Sequence, residues 1–475
     1  MSSRWARVCA ATVVAAAAAA TVGLAPPAVA AGAPVSPIAA TWTPSLATSG
    51  TDGSVEQIRK VEQCAGTMYA VGRFSSIKRY TATYARNNAF SFNASTGVMT
   101  NWAPNVNGQV NSIVLSADCS TAYLGGSFTT INGTAAKNIA AVSTTTGVVV
   151  PAFARTAGGK VNTLARSGSH LLVGGNFTSI NGSTKKYMVS LNLTTGKDDN
   201  YVNLNITGNY VYTQADGRQS GANSTNVYNF APSPDGTRLL AMGVFTSVGG
   251  QARRQIVMLD LGATSVTVNP WYSQDFDLNC HAVEPFYLQD ATWSPDTSKV
   301  YVATTGYKAA TGVGFDTNGP RGDLTAPFTN ICDAAAAYPG GPAVQRHDWV
   351  DYTGCDSLYS VAADSSAVYT GGHQRWADSP MQCDGNRNGT RVVSPGMSGL
   401  NLAGDSILDG NGPNGDGDLV NRYSKGRGLG ATDMVITSAG LWIASDNAQN
   451  VDACGKTSTG AIARGHQGLC FLPYS

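Results

Sequence analysis

The groups able to do acid–base or ligand chemistry are few and scattered. Five histidines, His170, His281, His347, His373 and His466, stand outside any HExxH, GxSxG, Walker or dinucleotide-binding pattern, so no motif gives one of them a role. Asp290, Asp356 and Asp433 fall in or beside strand-like runs, in positions to line a channel between them. Glycosidic cleavage needs two carboxylates at a set separation, which is not a property of a sequence, so no residue is assigned a catalytic role. A denser group is His373, Arg375, Trp376 and Asp384, where an imidazole, a guanidinium, an indole and a carboxylate gather beside a long loop and would suit a polar ligand.

Two loops have the composition of a site for calcium, a hard cation that takes carboxylate and amide oxygens. CDGNRNGT supplies Asp384, Asn386 and Asn388 ahead of Gly389, but the twelfth position of this EF-type opening is Pro395, where a bidentate Glu would be needed. DGNGPNGDGD supplies Asp409, Asp416 and Asp418 among glycines. Tracts of this kind also serve as plain turns, and calcium is the one cofactor the sequence suggests. Asn132 and Asn181, in Asn-Gly-Thr and Asn-Gly-Ser, are repeat turns before they are glycan acceptors.

The elements that must position these groups are copies of one unit. AYLGGSFTTINGTAAKNIAAVSTTTG, residues 122–147, holds two short apolar runs punctuated by Asn-Gly and Thr-Gly, which is the composition of a β-hairpin. It returns almost residue for residue at 171–196. Looser copies are MYAVGRFSSI, LLAMGVFTSVGG, VYVATTGY, VYTGGHQRW and LWIASD, and Gly126 and Gly175 lie 49 positions apart. A unit of about 40 to 50 residues made only of short strands has the length of one four-stranded propeller blade. The last unit ends in a third strand, LCFLPYS, whereas IAATWTPS around Trp42 is a fourth strand standing before any complete unit. Pairing the two would remove both sheet edges. The expected fold is therefore all-β, a seven-bladed propeller of four-stranded blades closed by the N-terminal strand on the C-terminal blade.

Residues 1–30 have Arg4 and Arg7, an Ala/Val-rich middle and a terminal Ala28-Val29-Ala30, the pattern of a secretory signal peptide, which leaves 31–475 as a single domain. Nine cysteines less Cys9 leave eight, an even number that in an exported chain favours disulfides over zinc or free thiols. Cys64 and Cys119 occupy equivalent hairpins of adjacent units, and Cys454 and Cys470 flank one connection of the last. For Cys280, Cys332, Cys355 and Cys383 two arrangements remain open: Cys280 with Cys332 and Cys355 with Cys383, or Cys332 with Cys355. With 13% charged residues and a net charge of +1 there is no basic field for nucleic acid or a membrane surface.

The YLGGSFTTINGT and LVGGNFTSINGS units resemble the delta-60 type propeller repeat, and ICDAAAAYP, GCDSLYSVA, VYTGGHQRW and CFLPYS resemble segments of secreted actinobacterial propeller proteins. The resemblance implies fold and export and carries no catalytic residue. Thr304 and Thr305 stand where the repeat has its glycines. A rigid, disulfide-stapled, near-neutral and exported ring with long loops at one end is expected to be a monomeric extracellular binding module for a carbohydrate, a peptide or a surface partner, with an extracellular hydrolase or lyase on the same loop-rich face as the alternative. Insertions at 197–226, 306–330, 377–391 and 404–430 mark that face.

Overall fold

A computed structural model describes residues 34–47, 55–213, 219–222, 224–278, 287–306, 331–354, 356–377, 392–393, 396–403, 430–448 and 453–474. The expected leader over 1–30 lies outside them. The chain is all-β: among the described residues the one helical element is a 3-10 turn, Gln274–Asp277, and no helix is long and apolar enough to cross a membrane.

Of the thirteen antiparallel sheets among the described residues, seven principal ones follow one another along the chain, numbered here 1 to 7, and the other six are small. Their first strands are Gln57–Cys64, Gln109–Leu115, Val161–Ser167, Asn226–Pro232, Tyr287–Trp293, Leu358–Ala363 and Ala431–Thr437. Each first strand pairs with a second strand, which pairs with a third. Each first strand also packs against the first strand of the next sheet, and the succession returns to its start, with Ala431–Thr437 against Gln57–Cys64. The core is divided in the same way. Tyr69, Val71 and Ala89 of sheet 1 are buried with Leu124 and Val142 of sheet 2, while Met68, Ala70, Phe90 and Phe92 are buried with Trp442 and Phe471 of sheet 7. Both faces of a strand are thus apolar, which is why VYVATT and MYAVG read as continuous runs rather than as alternating ones.

The two glycines of the repeat have different tasks. A Cβ on Gly125 would overlap the Val161 side chain of sheet 3, so the first glycine sets how closely the next sheet approaches. A Cβ on Gly126 would overlap the carbonyl oxygen of Gln109 in its own sheet, and Gly72, Gly175, Gly243 and Gly372 have the same relation to their first strands. In sheet 5 the register is kept without glycine, Leu288 standing opposite Thr304, whose hydroxyl accepts from the Ala334 N–H at 3.0 Å.

The expectation of four-stranded units needs correction. Among the described residues, regular fourth strands occur in sheet 4, Val266–Val268, and sheet 5, Trp349–Tyr352. In sheets 1 to 3 the fourth segment makes a single bridge, Phe92 to Met99, Val142 to Val149 and Leu191 to Asp198, and then leaves the ladder. A side chain ends the pairing: Thr100 Oγ1 accepts from Trp102 N at 3.2 Å and Asp199 Oδ1 from Tyr201 N at 3.2 Å, local turns that compete with sheet bonds. The aromatic that follows is driven between sheets. Trp102 Nε1 donates to Ser143 O, Tyr201 Oη to Gly262 O, Trp271 Nε1 to Pro339 O and Trp349 Nε1 to Leu402 O, each a carbonyl at or just past the third strand of the next sheet.

The N-terminal segment lies on the last sheet, as a bent chain rather than a regular strand. Ser36 N donates to Pro473 O at 2.8 Å and Ala40 N to Phe471 O at 2.9 Å, while Ala39 N turns away to Lys456 O. Trp42 packs on Trp442 and Phe471 at 5.8 and 5.7 Å between centroids. Cys64 is bonded to Cys119, which joins the first hairpins of sheets 1 and 2, and Cys454 to Cys470. Cys332 is disulfide-bonded, and Cys280, Cys355 and Cys383 lie outside the described residues.

Gly126→Ala should destabilise the protein by more than about 2 kcal/mol, since backbone must move to admit the methyl, whereas Gly133→Ala, at φ +75° in open space, should cost about 1 kcal/mol. Equilibrium urea unfolding of the two variants checks the ordering; equal losses would contradict it.

Candidate functional site

Every first strand carries a β-bulge at the same place. Arg59, Asn111, Asn162, Tyr228, Gln289, Tyr359 and Thr432 are the extra residues, each standing between two residues that pair normally with the second strand, as Ile58 does with Gly72 and Lys60 with Val71. An extra residue interrupts the strict in–out alternation, so two consecutive side chains leave the packed faces. These pairs form the wall of a cavity of about 340 Å³, where all seven first strands meet. Its lining runs Arg59 and Lys60, Asn111 and Ser112, Asn162 and Thr163, Tyr228 and Asn229, Gln289 and Asp290, Tyr359, then Thr432 and Asp433. The bulge sits near the start of each first strand, beside the end of the second, where Gln57 pairs with Arg73. The connections from second to third strands leave from that end.

The wall is hydrogen-bonded from sheet to sheet. First strands are edge strands, and their unpaired backbone groups need partners. Four of the seven bulge residues donate to the carbonyl ahead of the next bulge: Asn111 Nδ2 to Val161 O at 2.8 Å, Asn162 Nδ2 to Val227 O at 3.0 Å, Tyr228 Oη to Leu288 O, and Thr432 Oγ1 to Ile58 O at 2.5 Å. In three sheets the residue after the bulge accepts from a neighbour's N–H. Ser112 Oγ takes Leu164 N at 3.0 Å, Asp290 Oδ2 takes Val361 N at 2.9 Å and Asp433 Oδ2 takes Val61 N at 3.0 Å. The links from Thr432 and Asp433 join sheet 7 to sheet 1.

Charge in the cavity is unevenly matched. Lys60 Nζ lies 2.7 Å from Asp433 Oδ1. Burial acts against the Lys60 ammonium, but Asp433, Asp290 and Glu62 outweigh it and hold its pKa above the ordinary value. Asp290 also accepts from Asn229 Nδ2 at 2.8 Å and from Ala291 N at 2.9 Å, yet burial pushes its carboxyl up to about 7 against those donors and Lys60. Glu62, whose Oε1 accepts from Leu115 N at 3.0 Å, is likewise pushed up to about 7 by burial. Arg59 is lowered by burial.

Of the residues singled out by sequence, Asp290 and Asp433 are on the cavity wall and Asp356 is not. Asp356 holds Arg375, Nε to Oδ2 at 2.7 Å and Nη2 to Oδ1 at 3.2 Å. His373 packs edge-on against Tyr359 at 5.4 Å, one layer behind the wall, and Trp376 begins the two-residue strand Trp376–Ala377. None of these three lines the cavity. Asp384, Asn386, Asn388, Asp409, Asp416, Asp418 and His281 lie outside the described residues. Among the described residues no group of three or more His, Cys, Asp or Glu side chains is arranged to hold a metal ion. Two histidines serve packing: His170 bonds Asp199 at 2.7 Å and stacks on Tyr201, and buried His347 bonds Asp275 at 3.0 Å. The Asn132 amide donates to Gly147 O at 2.8 Å and its oxygen accepts from Asn105 N at 2.8 Å, so this side chain is a turn element.

The wall residues other than the two carboxylates escaped the sequence reading, although a signal was there. Buried apolar residues in the first strands are three apart instead of two: Ile58 and Val61, Val110 and Ile113, Val161 and Leu164, Val227 and Phe230, Leu288 and Ala291, Leu358 and Val361, Ala431 and Met434. Each encloses one of the pairs RK, NS, NT, YN, QD, YS and TD. Comparison with protein-family models and with curated proteins finds no match to this chain.

Glu62 and Asp290 each keep a proton in the folded chain that the unfolded chain has released between their ordinary values and about 7. Stability should therefore fall as pH rises through that window. Glu62→Gln retains the acceptor for Leu115 N, so urea unfolding at acid and at mildly alkaline pH should show a smaller fall than in wild type. An unchanged fall would remove Glu62 from the account.

Proposed function

We propose that this chain is a seven-bladed β-propeller, exported through a leader at residues 1–30, that works as a monomeric extracellular binding module and takes a carbohydrate in the cavity at its axis. The propeller reading is supported by the return of the first-strand succession to its start, by the cluster joining Phe90 and Phe92 to Trp442 and Phe471, and by the bonds of residues 36–40 to Pro473 and Phe471. It agrees with the resemblance of the repeats to the delta-60 type. Export is supported by the Cys64–Cys119 and Cys454–Cys470 bridges, a kind of bond that persists in oxidising surroundings.

One observation carries binding over catalysis. Asp290 and Asp433 are the acids of the cavity wall, and both are committed to the scaffold, Asp290 to three N–H donors and Asp433 to Lys60 and the Val61 N–H. A general acid or nucleophile needs an oxygen free to face the scissile bond. What the wall does present is amides, hydroxyls and two phenol rings, in a volume of about 340 Å³. Such groups match sugar hydroxyls and the flat face of a pyranose.

Titration calorimetry against a panel of oligosaccharides, with reducing ends assayed in parallel, tests this. Saturable binding without release of reducing ends is expected. Gln289→Ala should weaken binding by about tenfold, or 1.4 kcal/mol, with unchanged melting. Release of reducing ends that disappears in Asp290→Asn would favour the hydrolase or lyase instead, and absence of any saccharide binding would end the proposal.

A further inference from the structure

Arg59 is the anomaly of the cavity wall. Lys60 has Asp433, and the bulge residues Asn111, Asn162, Tyr228 and Thr432 all donate to a neighbouring carbonyl. Arg59 makes no hydrogen bond or ion pair with any described residue, and its Nε is shut off from solvent without a partner. Burial lowers its pKa, and no carboxylate offsets that. Nearby Lys160, just ahead of the first strand of sheet 3, has its ammonium pKa lowered by burial and by the Arg59 charge, so a second cation faces the first.

A half-buried guanidinium with its Nε desolvated and no counter-charge costs some stability, and replacement by an uncharged side chain would relieve that cost. Its position at the bulge of sheet 1 is not needed for the scaffold, since amide, phenol and hydroxyl groups fill the same position elsewhere in the wall. The charge is compensated when something anionic enters the cavity. Lys60 and Asp433 neutralise one another, Asp290 is hydrogen-bonded to Asn229, Ala291 and Val361, and no described carboxylate is paired with Arg59, which leaves it as the group seeking a partner.

On the reading of the cavity as a saccharide site, we infer that its ligand is an acidic sugar, a uronic acid unit whose carboxylate is held by the Arg59 guanidinium. The planar fork of a guanidinium matches a carboxylate in two parallel N–H···O bonds. Asn162 and Gln289 stand in the same wall for the ring hydroxyls, and Tyr359 and Tyr228 line it as the aromatic surface for the pyranose.

The probes are oligogalacturonate and oligoglucuronate, each beside its fully methyl-esterified counterpart, which keeps the sugar and removes the charge. Wild type should bind at least one acid about tenfold more tightly than its ester, with a preference that shrinks as salt is raised. Arg59→Gln should abolish the preference, hold ester binding within about twofold, and leave the melting temperature unchanged or higher, which a structural role for Arg59 would not allow. Arg59→Lys keeps the charge without the fork and should retain a preference of about threefold; it also carries the test if the glutamine variant does not fold. Equal binding of acid and ester, or a preference that survives Arg59→Gln, overturns the assignment and leaves the saccharide reading intact. Binding of neither acid nor ester overturns the acidic-sugar assignment, and neutral oligosaccharides then decide the broader reading separately.

Discussion

A sheet with two apolar faces needs two neighbours, and everything else in this protein follows from that requirement. Sheet 1 turns Met68 and Ala70 to one side and Tyr69 and Val71 to the other, all of them buried. In a two-layer sandwich one of those faces would remain wet. Burial on both sides forces each sheet between two others, and the last sheet must then meet the first, as Trp442 and Phe471 meet Phe90 and Phe92. Aromatics are the seal of this packing. Trp102, Trp271 and Trp349 each put an indole between sheets and attach it by its N–H to the far side, so a large apolar area is buried with its one polar atom satisfied.

The same requirement generates the cavity. Wedge-shaped packing of sheets draws their first strands together, and those strands cannot all be apolar at the point where they converge, because their free backbone groups need partners. The bulge answers both needs: it turns a pair of polar side chains toward the convergence and lets them take up the neighbours' carbonyls and amides. Fold and candidate site are thus one construction. The glycine opposite the bulge belongs to it too, since a side chain there would strike the carbonyl that the bulge pushes across.

Much of this was legible. The Gly-Gly-x-Phe step and the Asn-Gly turns marked the unit, and two cysteine pairs followed from their places in it. Asp290 and Asp433 could be placed in inner strands because acids are conspicuous among apolar neighbours. The remaining wall was not legible, because a pair such as Asn162-Thr163 looks like the polar half of an ordinary amphipathic strand unless the spacing of Val161 and Leu164 is noticed. The fourth strands were overread for a related reason. The segments after the third strands have strand composition, but pairing there competes with side chains that close local turns, Thr100 after sheet 1 and Asp199 after sheet 3, and no propensity reveals which wins. His373, Arg375, Trp376 and Asp384 were conspicuous as a polar group beside an insertion; Arg375 pairs with Asp356, Asp384 lies outside the described residues, and the cavity is a separate place built by the repeat itself.

The seven bulges have an evolutionary corollary. Duplication of one unit copies a backbone position along with its carbonyl partner, and asparagine, tyrosine and threonine are all accepted there, each bonded to the same kind of atom. Arg59, Gln289 and Tyr359 fill the same position in other sheets, so the side chain there varies while the bulge is kept. The lining of the cavity is thus composed one position per repeat, and its chemistry changes from sheet to sheet while the backbone that carries it stays the same.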